Sequence, residues 1–154
     1  MTSLPDRPVK ADPKLFEIEE KLRQGNYLKD ENRSLNRLLE DDAALIASLN
    51  MDMAFVISQL DMFYKEASEG LGEPVLLENS YEVSFREDRG KIACPWGDKF
   101  FAPKAVVYAR NIKTGATLRF SVLGLHMLKR HGFFQGQGSP FRLEPKELKS
   151  FFEL

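Results

Sequence analysis

The sequence predicts an α+β fold: N-terminal helices including one long heptad-patterned helix, then a small antiparallel sheet of about four strands with a packed helix. Three observations carry this. Apolar residues recur in steps of four and three from Leu35 to Ala67, as they do along one face of a helix. Beyond Gly70-Leu-Gly-Glu-Pro74 the apolar period changes to two. Ser121 and Gly132 then bracket Val122 to His131 as an N-cap and a C-terminal stop.

Taken in order, residues 1–13 carry Pro5, Pro8 and Pro13 and read as a flexible leader. A helical region spans 14–69. Leu15, Phe16, Ile18 and Leu22 give a first helix, which Gly25-Asn26 ends. The heptad seam follows: Leu35, Leu39, Asp42, Ile46, Leu49, Met53, Val56, Leu60, Phe63 and Ala67, with Asp42 its one polar member. Unbroken, a 33-residue helix is a rod of about 50 Å, too long for a globule near 40 Å across to hide. Either the helix breaks, with Asn50 capping a second segment, or it projects and packs on another helix. The region 75–154 alternates at Tyr81, Val83 and Phe85, turns at Asp88-Arg-Gly90, and resumes at Lys91 to Cys94. Residues 105–109 and 117–120 flank a second hairpin turn at Asn111 to Gly115. Pro145 opens a short final helix.

The apolar share of 43% and charged share of 29% suit a globular chain rather than a disordered one. No apolar run approaches the ~20 residues of a membrane span, and the N-terminus lacks a signal-peptide core, so a cytoplasmic location is expected. One cysteine rules out an internal disulfide. The net charge of −1 conceals an asymmetry. Residues 1–85 hold nine Lys and Arg against 17 Asp and Glu; residues 86–154 hold 13 against six. Such a division suits either a polyanion-binding surface or halves that attract each other or a neighbouring subunit.

The two histidines, His126 and His131, are five apart, an effective 140° on a regular helix. That spacing excludes the i, i+4 pair of an HExxH metalloprotease. Cys94-Pro-Trp-Gly-Asp-Lys-Phe-Phe101, with Leu123-Gly-Leu-His126-Met-Leu-Lys-Arg-His131-Gly132, resembles the two ends of a two-cysteine, two-histidine zinc finger. The resemblance covers 94–132. Gly97 stands at the family's second cysteine, with Asp98 beside it, and a hairpin is inserted between the two ends. It implies zinc on Cys94, His126 and His131, for which Asp98 would have to stand in as the missing fourth donor; the expectation that the residues favour is no cofactor. Without a metal, His126 packs as a core histidine, His131 sits at a helix C-terminus, and Cys94 is a small buried apolar group. Gly136-Gln-Gly138-Ser-Pro140 lacks the Gly-Lys-Ser/Thr ending of a P-loop.

Functionally, the sequence suggests a non-enzymatic binding or regulatory protein. It would self-associate, or take a protein partner, through the 31–67 helix, on Leu39, Ile46, Leu49, Met53, Val56, Leu60 and Phe63. Its basic C-terminal half would engage a partner. One alternative is a nucleic-acid binder that presents Lys99, Lys104, Arg119, Lys129, Arg130 and Arg142 among aromatic rings. Another is a small hydrolase or nuclease using Cys94 or the histidines.

Overall fold

The computed structural model describes residues 13–154; the expected leader, apart from Pro13, lies outside the described residues. Among the described residues, five helices and one sheet make the α+β architecture. The helices are α1 (Pro13–Gln24), α2 (Leu35–Ser48), α3 (Met53–Glu69), α4 (Val122–His131) and α5 (Pro145–Phe151). The strands β1 (Val75–Leu77), β2 (Tyr81–Ala93), β3 (Phe101–Asn111) and β4 (Thr117–Ser121) form an antiparallel meander in the order β1-β2-β3-β4.

The heptad seam belongs to two helices, not one. Asn50 takes a positive φ of 51°, and the Asp52 carboxylate caps the next helix by accepting from the Ala54 and Phe55 amides. The cap is therefore Asp52 rather than Asn50, and α2 and α3 meet at 105°. Bending folds both halves of the seam inward. Ile46, Met53, Val56, Leu60 and Phe63 pack with Val83, Val107 and Phe120 of the sheet, and with Leu148 and Phe151 of α5. Leu49 packs at the edge of that core, and Leu39 lies in a second core with Leu22, Leu28, Leu123 and Phe133. Six of the seven side chains expected to recruit a second copy, all but the half-buried Leu49, are thus buried in this chain's own packing.

Helix α4, like α2 and β3, contributes to both cores. Leu125 and Leu128 face the first, while Val122, Leu123 and Met127 face the second. The Ser121 hydroxyl caps its start by accepting from the Gly124 amide, and Gly132 ends it in the left-handed conformation. The expected turn at Asp88-Arg-Gly90 is instead a bulge within the long strand β2. Pairing shifts register between Asp88 and Lys91, then continues as Ile92 opposite Ala102.

The glycine-rich loop after α4 is a clamp on the N-terminal region. The Gly136 amide donates to the Tyr27 carbonyl, and the Asp30 amide to the Gln137 carbonyl. No side chain fits at Gly136: a Cβ there would lie 2.8 Å from Glu31 Cβ and 2.9 Å from Leu28 Cα. Glu31 is buried at the centre of this contact, accepting from the Arg33 side chain and from the Gln137 amide. The Arg33 hydrogen bonds outweigh burial and hold its carboxyl down to about 2, against an ordinary 4.5. A lowered pKa stabilises the fold above the unfolded value and loses that contribution as the carboxylate protonates. Stability is therefore expected to fall between pH 4.5 and about 2. Urea melts across that window check this, because Glu31→Gln must flatten the slope.

Candidate metal centre

Strand β2 ends at Ala93, and residues 94–100 form the tight connection to β3. The Cys94 amide donates to the Phe100 carbonyl at 2.9 Å, and the Gly97 amide to the Cys94 carbonyl at 3.0 Å. Gly97 sits at φ 72°, a left-handed conformation that costs a glycine nothing. The turn delivers Asp98 back over Cys94. Asp98 Oδ1 accepts from the Phe100 amide at 3.1 Å, which leaves Oδ2 aimed at α4.

There Oδ2 meets both imidazoles. His126 Nε2 and His131 Nε2 each lie 2.8 Å from it, and Cys94 Sγ lies 3.7 Å from His131 Nε2. The histidines thus converge, contrary to the divergence expected from a regular helix. His131 is the last helical residue, and its ring leans back from the terminal turn toward the centre. Two aromatic rings fix the imidazoles: Phe100 stacks on His126 at 3.8 Å between centroids, and Trp96 on His131 at 4.4 Å. Trp96 in turn rests on Phe133 of the second core.

One ligand atom from each of Cys94, Asp98, His126 and His131 lies within 4.8 Å of the other three. Tetrahedral zinc with Zn–N near 2.0–2.1 Å and Zn–S near 2.3 Å separates its ligand atoms by roughly 3.4–3.6 Å. The sulfur–nitrogen distance fits that edge. The carboxylate–imidazole distances are shorter, at hydrogen-bond length. Burial opposes the Asp98 carboxylate, yet hydrogen bonds from His131, His126 and the Phe100 amide hold its pKa well below the usual range. Burial lowers that of His131, and pushes the Cys94 thiol up to about 12. A thiolate at this position therefore needs a cation against it.

The same geometry does not form a nucleophile–base–orienter relay. In such a triad the carboxylate holds one imidazole nitrogen while the nucleophile meets the other. Here Cys94 and Asp98 both address Nε2 of His131.

The cationic candidates do not share one surface. The Arg142 side chain is 6% exposed, forking onto Asp42 at 2.9 and 3.0 Å and reaching Glu144 at 2.9 Å, which corrects its expected place in an anion-binding patch. Burial opposes its charge, but Asp42 and Glu144 raise its pKa. Lys129 pairs with Asp61 of α3. Lys104 pairs across strands with Asp88, and Arg119 with Tyr108, on the sheet's outer face. Arg130 is exposed on α4, which packs on the opposite face, and Lys99 lies in the donor loop. Arg142–Asp42, Lys129–Asp61 and Arg110–Glu82 join the basic half of the chain to the acidic half. Part of the charge asymmetry is thus spent within the molecule. The buried Asp42–Arg142 pair was not foreseen; its one trace in the sequence was the lone aspartate in an apolar seam.

No single helix among the described residues is long and apolar enough to cross a membrane. No family model, curated protein or solved structure matches the chain.

Proposed function

We propose that Cys94, Asp98, His126 and His131 hold a structural zinc ion, and that the chain is a non-enzymatic binding protein whose C-terminal half this ion fastens. The carrying observation is the convergence of four different donors on one centre, drawn from two elements far apart in sequence. Soft sulfur with imidazole nitrogen selects zinc over calcium or magnesium, which take oxygen. Four protein ligands leave no open position for a substrate or water, which is the arrangement of structural sites. Rings stacked on both imidazoles support that closed form. When bound, zinc supplies the charge that keeps Cys94 as thiolate.

The test is elemental analysis of protein purified without added metal. One zinc per chain is expected, falling to background in Cys94→Ala combined with His126→Ala. Cobalt substitution should give visible bands of a tetrahedral thiolate site. A chain that holds no zinc after equilibration with the metal overturns the proposal.

A further inference from the structure

The ion pairs that join the two halves leave some basic side chains without a carboxylate, and several of these share one surface. Val83, Val107 and Phe120 point from the sheet into the first core. Alternation sends Ser84, Arg86, Lys104, Tyr108, Arg110 and Arg119 to the other side. There each is exposed or half-buried, and none belongs to either core. An open trough of about 610 Å³ lies over part of this face, with Ser84, Tyr108 and Arg119 on its floor and residues 140–148 as one wall.

Two of these side chains are set up for a planar, anionic ligand. Tyr64 and Tyr81 pack on phenylalanine rings, whereas Tyr108 is 38% exposed and pairs with no ring among the described residues. Arg119, directly across from Tyr108 on β4, is held by its Nε, which donates to the Pro140 carbonyl at 3.2 Å, and by the Phe141 ring beneath its guanidinium. Its two terminal nitrogens bond nothing else among the described residues.

Charge has a direction on this face. Glu82 is bound to Arg110 at 3.2 Å, and Glu144 and Glu147 stand at the wall of the trough. The other way, toward the β2 bulge, Arg86, Arg89, Lys91 and Lys104 are exposed and form no ion pair among the described residues. Asp88, opposite Lys104, is the carboxylate there; Glu87 points to the α3 side, where its charge acts on Tyr64. A Cβ at Gly90 would stand 3.8 Å from Lys104 Nζ, so that amine sits against the bulge. Strands about 4.8 Å apart, with roughly 6.7 Å between successive outward residues, put the backbones of Arg119 and Arg86 within about 8 Å of Tyr108, on opposite sides.

We infer that this face binds single-stranded nucleic acid, with a base stacked on Tyr108 and phosphates met by Arg119, Arg86 and Lys104. Stacking on an exposed ring tolerates any base, and cations beside it track the backbone. A duplex keeps its base faces hidden, and a chain of carboxylates leaves the ring unused. Binding here is independent of the zinc centre, whose donors come from α4 and the loop before β3.

Fluorescence anisotropy of labelled decauridylate and decathymidylate, titrated with the full chain, tests this, with zinc content measured on the same sample. Three phosphate contacts give a log–log salt slope of about −2, so affinity should fall roughly twentyfold between about 50 and 200 mM salt. Arg119→Gln should make that slope shallower by about 0.7. Tyr108→Ser should weaken binding about tenfold while Tyr108→Phe keeps it. Lys65→Glu, a charge reversal on α3, should leave affinity within about twofold. Amide shifts in the unmutated chain should gather at 84–86, 104–110 and 117–119, which decides the matter if Tyr108→Ser does not fold. The tighter of the two strands names the preferred sugar. No binding of either strand at low salt, shifts centred elsewhere, or equal losses in Tyr108→Ser and Lys65→Glu overturn the inference. So does a ten-base-pair duplex or a decaglutamate peptide that binds as tightly, or a dimer that pairs through this face.

Discussion

Replacing His126 with alanine is expected to abolish zinc binding and lower the melting temperature by roughly 10–20 °C. A ligand present at a thousand times its dissociation constant stabilises the folded state by about 4 kcal/mol. For a chain of this size each kcal/mol is worth about 2–4 °C. Loss of the Phe100 stack on the imidazole adds about 0.5–1.5 kcal/mol. A purely hydrogen-bonded Asp–His–His cluster predicts a different outcome in the unmutated chain. With zinc as the fastening, a chelator must bring the wild-type melt down towards that of His126→Ala. An unchanged wild-type melt in excess chelator sinks the metal explanation. The loss should also be local. Cys94 shares its core with Leu22, Leu28 and Leu35, so amides of α1 and the start of α2 should exchange faster first.

The second large effect concerns Arg142. Its side chain is 6% exposed and that of Asp42 is 5% exposed, so the pair is closed off from water. Arg142→Met strands a buried carboxylate and removes the donors to the Gln135 carbonyl and Glu144. Breaking a buried pair from one side costs about 3–5 kcal/mol. Exchanging both partners for apolar groups of similar size is far milder, often neutral. Asp42→Leu with Arg142→Met should therefore recover most of the loss, measured by urea unfolding as a double-mutant cycle. A single variant costing under about 1 kcal/mol, or a double variant no better than the single, contradicts this account.

What could be read from the sequence follows the range of the interactions involved. Local signals located helix ends well: Gly25-Asn26, Ser121, Gly132 and Pro145 all stand where α1, α4 and α5 stop or start. The heptad seam was real but said nothing about continuity. Four residues between α2 and α3 preserve the step of four from Leu49 to Met53, so a bent pair and a straight rod share one pattern. The turn expected at Asp88-Arg-Gly90 failed because Lys91, Ile92 and Ala93 find partners in Pro103, Ala102 and Phe101, which outweighs local turn preference. At the candidate metal centre, three donors were visible from residue type and spacing, with Asp98 as an untried fourth. Their convergence was not, because it depends on the Gly97 turn and on the lean of a terminal helix residue.

The clamp around Gly136 bears on the order in which the chain folds. Ser139 Oγ donates to the Asn26 carbonyl across 113 residues of sequence, and Gly136 reaches Tyr27 over a similar separation. Contacts this distant are slow to form, since the intervening chain must be ordered before they bring any gain. During synthesis, α1 and the loop after it emerge long before the segment that secures them. Leu22 and Leu28 can meet Leu35 and Leu38 early, but the part of their apolar surface that Phe133 and this loop cover waits until residues 133–139 have left the ribosome. Truncation before residue 139 should accordingly leave the first helix undocked, whatever its own tendency to form.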